Sequence, residues 1–151
     1  TTSSSGTLPV TIRCTQENLG VSKSVSSFVL PMGATVNMDG TAIYQGVAAL
    51  FVAQASGIDL TFANYVTLIL ASTLASIGTA GVPGAGLIML SVTLSSIGLP
   101  MEGIALIAGI DRILDMARTS VNVTGDAMTS VLVAKSEGEF DREIFEATEA
   151  V

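Results

Sequence analysis

Six polar residues in one largely apolar stretch, residues 103–135, carry the strongest chemical signal in the sequence. At about 100° per residue, Asp111, Asp115, Arg118, Thr119, Asn122 and Asp126 fall within an arc of roughly 100° on a helix. Within a membrane each charge costs about 2.5–3.5 kcal/mol even on the gentler insertion scales, so such a face turns toward a bundle interior or a cavity. Asp115 and Arg118 are spaced to pair at i,i+3 as a structural seam. That pairing leaves Thr119, Asn122 and Asp126 on the same face unexplained. As a binding face the set suits a zwitterion. An Arg guanidinium is a planar fork matched to a carboxylate, an Asp carboxylate holds an ammonium, and Asn supplies donor and acceptor together. An acidic amino acid finds a partner there for each of its charges.

Two further stretches could complete a site. Asn37-Met-Asp-Gly-Thr41 interrupts an apolar run. Gly40 permits unwinding, and unwound carbonyls with the Asp39 carboxylate and the Asn37 oxygen suit a hard cation such as sodium. A plain polar turn explains the same five residues. Residues 78–86, Gly-Thr-Ala-Gly-Val-Pro-Gly-Ala-Gly, lack the Gly-Lys-Ser/Thr ending of a phosphate loop. Their small side chains instead expose backbone, and the helix that follows favours a carboxylate at its start. The simpler alternative is a bare turn.

The elements that must position these residues read as helices. Residues 1–7 are a small polar loop, and a helix is expected after Pro9, within residues 8–19. Residues 25–34 and 42–55 are apolar on either side of the Asn37–Thr41 break. Gly57 and Asp59 form a turn, and Thr61 caps the next helix. Residues 62–77 and 87–97 are each too short for the ~20 residues that cross a bilayer, and the Gly/Pro loop joining them makes a re-entrant hairpin. Residues 103–135 form one helix long enough to span. Ser5-Gly-Thr-Leu-Pro9 is echoed in residues 77–83, and Asn37-Met-Asp-Gly40 in residues 122–126. Such doubling points to a repeat-built transporter.

Composition excludes several classes. Apolar residues make up 49% and charged residues 13% of the chain, about half the charged share of a soluble domain. Residues 60–101 contain no charge at all, which argues against a soluble helical interaction domain. Six of the thirteen acids (Glu137, Glu139, Asp141, Glu143, Glu146 and Glu149) lie in the last fifteen residues, so the net charge of −7 reflects a solvated tail. The few scattered basic residues do not suit nucleic acid. With no His and the single Cys14, neither a zinc or copper site nor an internal disulfide is expected. No signal peptide opens the chain, which reads as a C-terminal fragment.

Residues 2–9 (Thr-Ser-Ser-Ser-Gly-Thr-Leu-Pro), 37–41 (Asn-Met-Asp-Gly-Thr), 75–86 (Ala-Ser-Ile-Gly-Thr-Ala-Gly-Val-Pro-Gly-Ala-Gly) and 111–126 together resemble the dicarboxylate/amino acid:cation symporter family. The resemblance implies an all-α membrane protein. Its transport domain has an inverted repeat, two re-entrant helical hairpins and two transmembrane helices, one with an unwound segment. Residues 1–135 are a partial transport domain: the second arm of hairpin 1, a broken helix 7 (24–55), hairpin 2 as the gate (61–98) and helix 8 (103–135). Residues 136–151 are the acidic tail.

By the same resemblance, Arg118 binds the substrate side-chain carboxylate and Asp115 its amine. Asn122, Thr119 and Thr41 complete the polar contacts, and the hairpin backbones at Ser4, Val82 and Gly86 close around the ligand. One sodium uses the Asp126 carboxylate with carbonyls of Gly33, Asn37 and Asn122. A second sits among carbonyls of Thr35, Ser76, Ile77 and Thr79, and a third involves the Asn37 and Asp39 side chains. Asp111 supports that third site from behind. The function implied is sodium-coupled symport of L-aspartate or L-glutamate by an elevator-type movement. It implies a homotrimer in the plasma membrane, held by scaffold helices outside this sequence, with the tail cytoplasmic and no organic cofactor. A proton-coupled glutamate or dicarboxylate symporter is the alternative within the family. An intramembrane aspartyl protease using Asp111 or Asp115 with Asp126 is the alternative outside it, against which stand one shared helix, the nearby Arg118 and the missing Gly-x-Gly-Asp.

Overall fold

A computed structural model describes residues 1–149, so residues 150 and 151 of the expected tail lie outside the described residues. The elements are α1 (Ser4–Glu17), α2 (Lys23–Val36), α3 (Asp39–Ala55), α4 (Phe62–Ile77), α5 (Ala85–Ser96), α6 (Gly103–Ala108), α7 (Asp111–Glu137) and α8 (Arg142–Glu149). No strand forms among the described residues, only an isolated bridge between Val21 and Phe140.

Several ends follow from local chemistry. Thr61 caps α4 through a capping box in which its hydroxyl accepts from the Asn64 N–H while the Asn64 side chain accepts from the Thr61 N–H. Gly84, at φ +77°, turns the chain into α5 in a left-handed conformation that a side chain resists. The first helix starts earlier than expected. The Ser3 hydroxyl accepts from the Gly6 N–H and fixes the start at Ser4, so Pro9 lies inside α1. Pro31 lies inside α2 in the same way. In each case the proline ring fits helical φ and removes one hydrogen bond without ending the helix.

The stretch 103–135, expected as one helix, is divided. The Ile110 N–H bonds back three residues to Ile107 and closes α6 as a tight turn, after which α7 begins at Asp111. The break in the earlier apolar run is narrower than expected, since only Asn37 and Met38 leave the helix. Among the described residues no helix is long and apolar enough to cross a membrane. At 27 residues α7 is about 40 Å long, but it carries the charges. The strongly apolar α4 and α5 have 16 and 12 residues.

The core lies between α3, α4, α5 and α6, where Ala49, Val52, Leu68, Leu90, Leu94 and Ile107 pack together. Gly103 lets α6 approach so closely that a Cβ there would run into the Val52 side chain. Elsewhere the burial pattern is inverted. Among the described residues as many polar as apolar side chains are buried, while Phe28, Phe62, Leu74, Ile88 and Leu132 stand more than half exposed. A water-facing surface of that kind is an aggregation or interaction surface. Leu90 is fully buried. Leu90→Ala is therefore expected to cost about 2–5 kcal/mol, read as a lowered melting temperature of the full-length protein in detergent.

Candidate functional site

All six residues of the polar α7 face are buried, whereas Arg112, just past the edge of that arc, is exposed. The face turns inward because α7 packs against α1, α2 and α3. A helix shows one face to its neighbours, so the arc inferred from spacing becomes the wall between these three elements.

Asp115 and Arg118 form the centre. The Arg118 Nη2 lies 2.7 Å from Asp115 Oδ1, and its Nε donates to the same oxygen at 3.2 Å. The other carboxylate oxygen of Asp115 accepts from the Gly84 backbone N–H at 3.0 Å. The 78–84 loop is thus pinned to α7. The Arg118 guanidinium lies over the Tyr44 ring, 4.3 Å from its centroid. The Tyr44 hydroxyl donates to Asp111 at 3.2 Å. Behind the guanidinium lies Gly86, where any Cβ would collide with Nη1. That Nη1 is buried and has no hydrogen-bond partner. An orphaned charged donor is costly, and a carboxylate satisfies it best. Beside the pair is a polar cavity of about 10 Å³, lined among others by Ser4, Thr41, Val82, Thr119 and Asn122. Such a volume admits roughly one water, so a larger guest requires the overlying loop to move.

The helix break reaches the same face from the other side. The Asn122 side-chain oxygen accepts from the Gly40 N–H at 2.8 Å, and its nitrogen donates to the Thr41 hydroxyl at 3.4 Å. Gly40 does not unwind the chain, as expected from its type, but sits in the first turn of α3. Its role is room, because a Cβ there would strike the Arg118 carbonyl on α7.

Of the expected cation ligands, Gly33, Asn37 and Asp126 come together. Asn37 donates to Asp126 Oδ1 at 3.0 Å, and Gly33 gives way to that carboxylate, which any Cβ there would meet. Asn37 and Asp39 converge on Gly125, where an added Cβ would lie 3.2 Å from the Asn37 nitrogen and 2.6 Å from the Asp39 carboxylate. Asp39 is exposed. Ser76 and Thr79 are buried, with hydroxyls bonded to Thr73 and Ala75, while Thr35 and Ile77 are exposed. No cluster of three or more acidic, His or Cys side chains forms among the described residues. A hard cation held by carbonyls and one carboxylate does not need one.

Three residues that sequence reasoning passed over join the site. Tyr44 supports Arg118 as described. Gln45 is fully buried, donates to the Gly86 carbonyl at 3.0 Å and keeps a partnerless Oε1. Thr2 is buried against the polar cavity. The signal for the first two was their place one turn beyond Gly40 and Thr41, hence on the same face of α3. The two loop tips also meet: the Ser3 hydroxyl and the Ser5 N–H both donate to the Gly81 carbonyl, at 2.6 and 3.2 Å.

Residues 1–136 match the model of the sodium:dicarboxylate symporter family. The chain is 54% identical over 133 residues to an excitatory amino acid transporter of Caenorhabditis elegans, covering 88% of this chain and 26% of that protein. It is 53% identical over 140 residues to excitatory amino acid transporter 2 of Homo sapiens, covering 91% and 24%. Against excitatory amino acid transporter 1 of Rattus norvegicus it is 50% identical over 133 residues, covering 88% and 24%. The chain spans about a quarter of the length of these relatives.

Gly86→Ala is expected to lower stability by about 1–3 kcal/mol through overpacking on the guanidinium. Gly46→Ala, in the interior of α3 with nothing within 4 Å of the added carbon, is expected to be neutral or to add roughly 0.5–1 kcal/mol. Melting temperatures of the two full-length variants in detergent check the contrast.

Proposed function

The chain belongs to the sodium:dicarboxylate symporter family, and from that premise we propose that it forms the substrate- and cation-binding part of a sodium-coupled symporter of acidic amino acids, L-aspartate or L-glutamate. The observation that carries this reading is the buried Asp115–Arg118 pair with one guanidinium nitrogen left unbonded under the 78–84 loop. An acidic amino acid exchanges for that internal pair. Its side-chain carboxylate takes the Arg118 fork and its ammonium takes Asp115, so each partner swaps one ion pair for another. Thr41, Thr119 and Asn122 supply the remaining polar contacts, and the backbones at Ser4, Val82 and Gly86 close over the ligand. The names of the relatives, excitatory amino acid transporters, agree with this substrate class.

Sodium in this scheme is co-transported cargo. Asp126 with the carbonyls of Gly33, Asn37 and Asn122 forms one position, and the carbonyls of Thr35, Ser76, Ile77 and Thr79 a second. The Asn37 and Asp39 side chains contribute to a third, whereas Asp111, expected to support it, lies about 21 Å along α7 from Gly125 and instead holds Tyr44 beside Arg118. Binding of cations next to the break fixes Asn37 and Met38, hence the start of α3, hence Thr41 and the Asn122 contact. Coupling is then reciprocal, since whatever one ligand orders the other no longer has to order.

The α4–α5 hairpin acts as the gate, because Gly84 and Gly86 must leave Asp115 and Arg118 for a ligand to enter. Translocation proceeds by an elevator-like displacement of this domain against a trimeric scaffold supplied by segments outside this sequence. In this reading the protein resides in the plasma membrane with its tail in the cytoplasm.

Arg118→Cys in the full-length transporter is expected to abolish uptake of radiolabelled aspartate and glutamate in proteoliposomes. Unchanged uptake overturns the site assignment. Replacing sodium with choline is expected to stop uptake with or without a pH gradient, whereas uptake that persists on a proton gradient selects the proton-coupled reading. Asp126→Asn is expected to raise the sodium concentration for half-maximal uptake at least about tenfold, the loss of one charge-assisted ligand.

A further inference from the structure

The end of the chain is not simply attached to α7; it folds back onto the junction between α1 and α2. The Ser22 N–H donates to the Glu139 carbonyl at 3.2 Å and the Asp141 N–H to the Gly20 carbonyl at 2.7 Å, around the Val21–Phe140 bridge. Gly20, at φ +66°, lies so close to Asp141 that any Cβ would collide with its carbonyl. The Ser22 hydroxyl, which also caps α2, donates to the Glu139 carboxylate. Gly138, at φ +72°, ends α7 and turns the chain toward this contact. Lys135 then lies over the rings of Phe140 and Phe145, at 4.8 and 5.9 Å, and the two rings pack at 5.6 Å. Val21, Val25 and Ala134 are buried beneath, with Leu19, Val131 and Phe140 packed against them.

At its other end α1 carries the functional tip. Ser3 and Ser5 hold Gly81, and Ser4 lines the polar cavity. Between base and tip α1 is a helix of 14 residues, about 21 Å, stitched to α2 by the Gln16 side chain, which donates to the buried Ser26 hydroxyl at 2.6 Å. A helix stitched in this way moves as a unit, so freedom at its base becomes freedom at its tip.

We propose that residues 138–145 are a strap that fixes the base of α1 and α2 to the end of α7 and thereby sets how rigidly Ser3, Ser4 and Ser5 are held at the site. The strap belongs to the fold and acts whatever ligand the site takes. It makes the tail a conformational control point about 21 Å along α1 from the cavity.

Hydrogen exchange followed by mass spectrometry tests this on the full-length protein in detergent, without any transport measurement. Truncation after Gly138 is compared with the intact chain. Exchange in residues 15–26 is expected to rise roughly tenfold, exchange in residues 1–8 to rise with it, and residues 111–126 to keep their protection. Unchanged exchange in 15–26 overturns the strap, and a rise in 15–26 with none in 1–8 overturns its reach to the site. Should the truncation loosen 111–126 as well, the double variant Lys135→Gln with Phe140→Ala removes the ring packing but keeps the backbone, and is read in the same way. A general rise across all three segments in that variant also overturns the proposal.

Discussion

The structure depends on one constraint, that a carboxylate and a guanidinium placed three residues apart on one helix are both withdrawn from solvent. Neither is tolerable there alone, because removing one partner of a buried pair leaves an uncompensated charge and costs several kcal/mol. The surrounding parts answer that constraint. Gly84 gives Asp115 a backbone donor, Tyr44 gives Arg118 an aromatic face, and Gly86 leaves the guanidinium room. The hairpin between α4 and α5 takes its position from the first and third of these contacts. The break between α2 and α3 brings Gly40 and Thr41 to Asn122, one turn further along the same face. One nitrogen of the arginine remains unanswered, and the proposed function rests on that omission.

The sequence revealed the polar face of α7 because its energetic anomaly is local. Charges at helical spacing in an apolar stretch have few places to go. The limits of α4 were legible for a related reason, since Thr61 and Asn64 satisfy each other's backbone within four residues. What stayed hidden depended on partners distant in the chain. Pro9 suggests a helix start, yet α1 begins at Ser4 and continues through it because packing outweighs the loss of one hydrogen bond. Gly40 looks like a point of unwinding until the α7 backbone is seen pressed against it. The division of residues 103–135 at Ile110 has no proline or glycine pair to announce it, only the tight turn onto Ile107 and the tie from Asp111 to Tyr44. Similarly, the acidic tail advertises solvation by its charge, and nothing in its composition tells that Phe140 pairs with Val21.

The two loop tips show how little contact holds the site closed. Gly81 receives both Ser3 and Ser5 on a single carbonyl, and the Gly84 N–H reaches Asp115. These are a few hydrogen bonds of modest net worth, about 0.5–1.5 kcal/mol for each neutral pair and about 1.5–3 kcal/mol for the one to the carboxylate. A closure of that strength can yield to a ligand that offers better partners, whereas the packed core around Val52 and Leu90 cannot.

The acids gathered around the site have an electrical consequence. Around the site stand four carboxylates, Asp39, Asp111, Asp115 and Asp126, against one guanidinium, Arg118, an excess of three negative charges (4 − 1 = 3). A guest of net negative charge deepens that excess. Any body carrying such a field through a low-dielectric layer faces a self-energy that grows with the square of its charge. In the proposed function, cations lodged beside Asp126 and Asp39 cancel that field before the domain moves. Under the proposed function the ions thus do more than supply a gradient: they serve as counter-charges to the site's own acids.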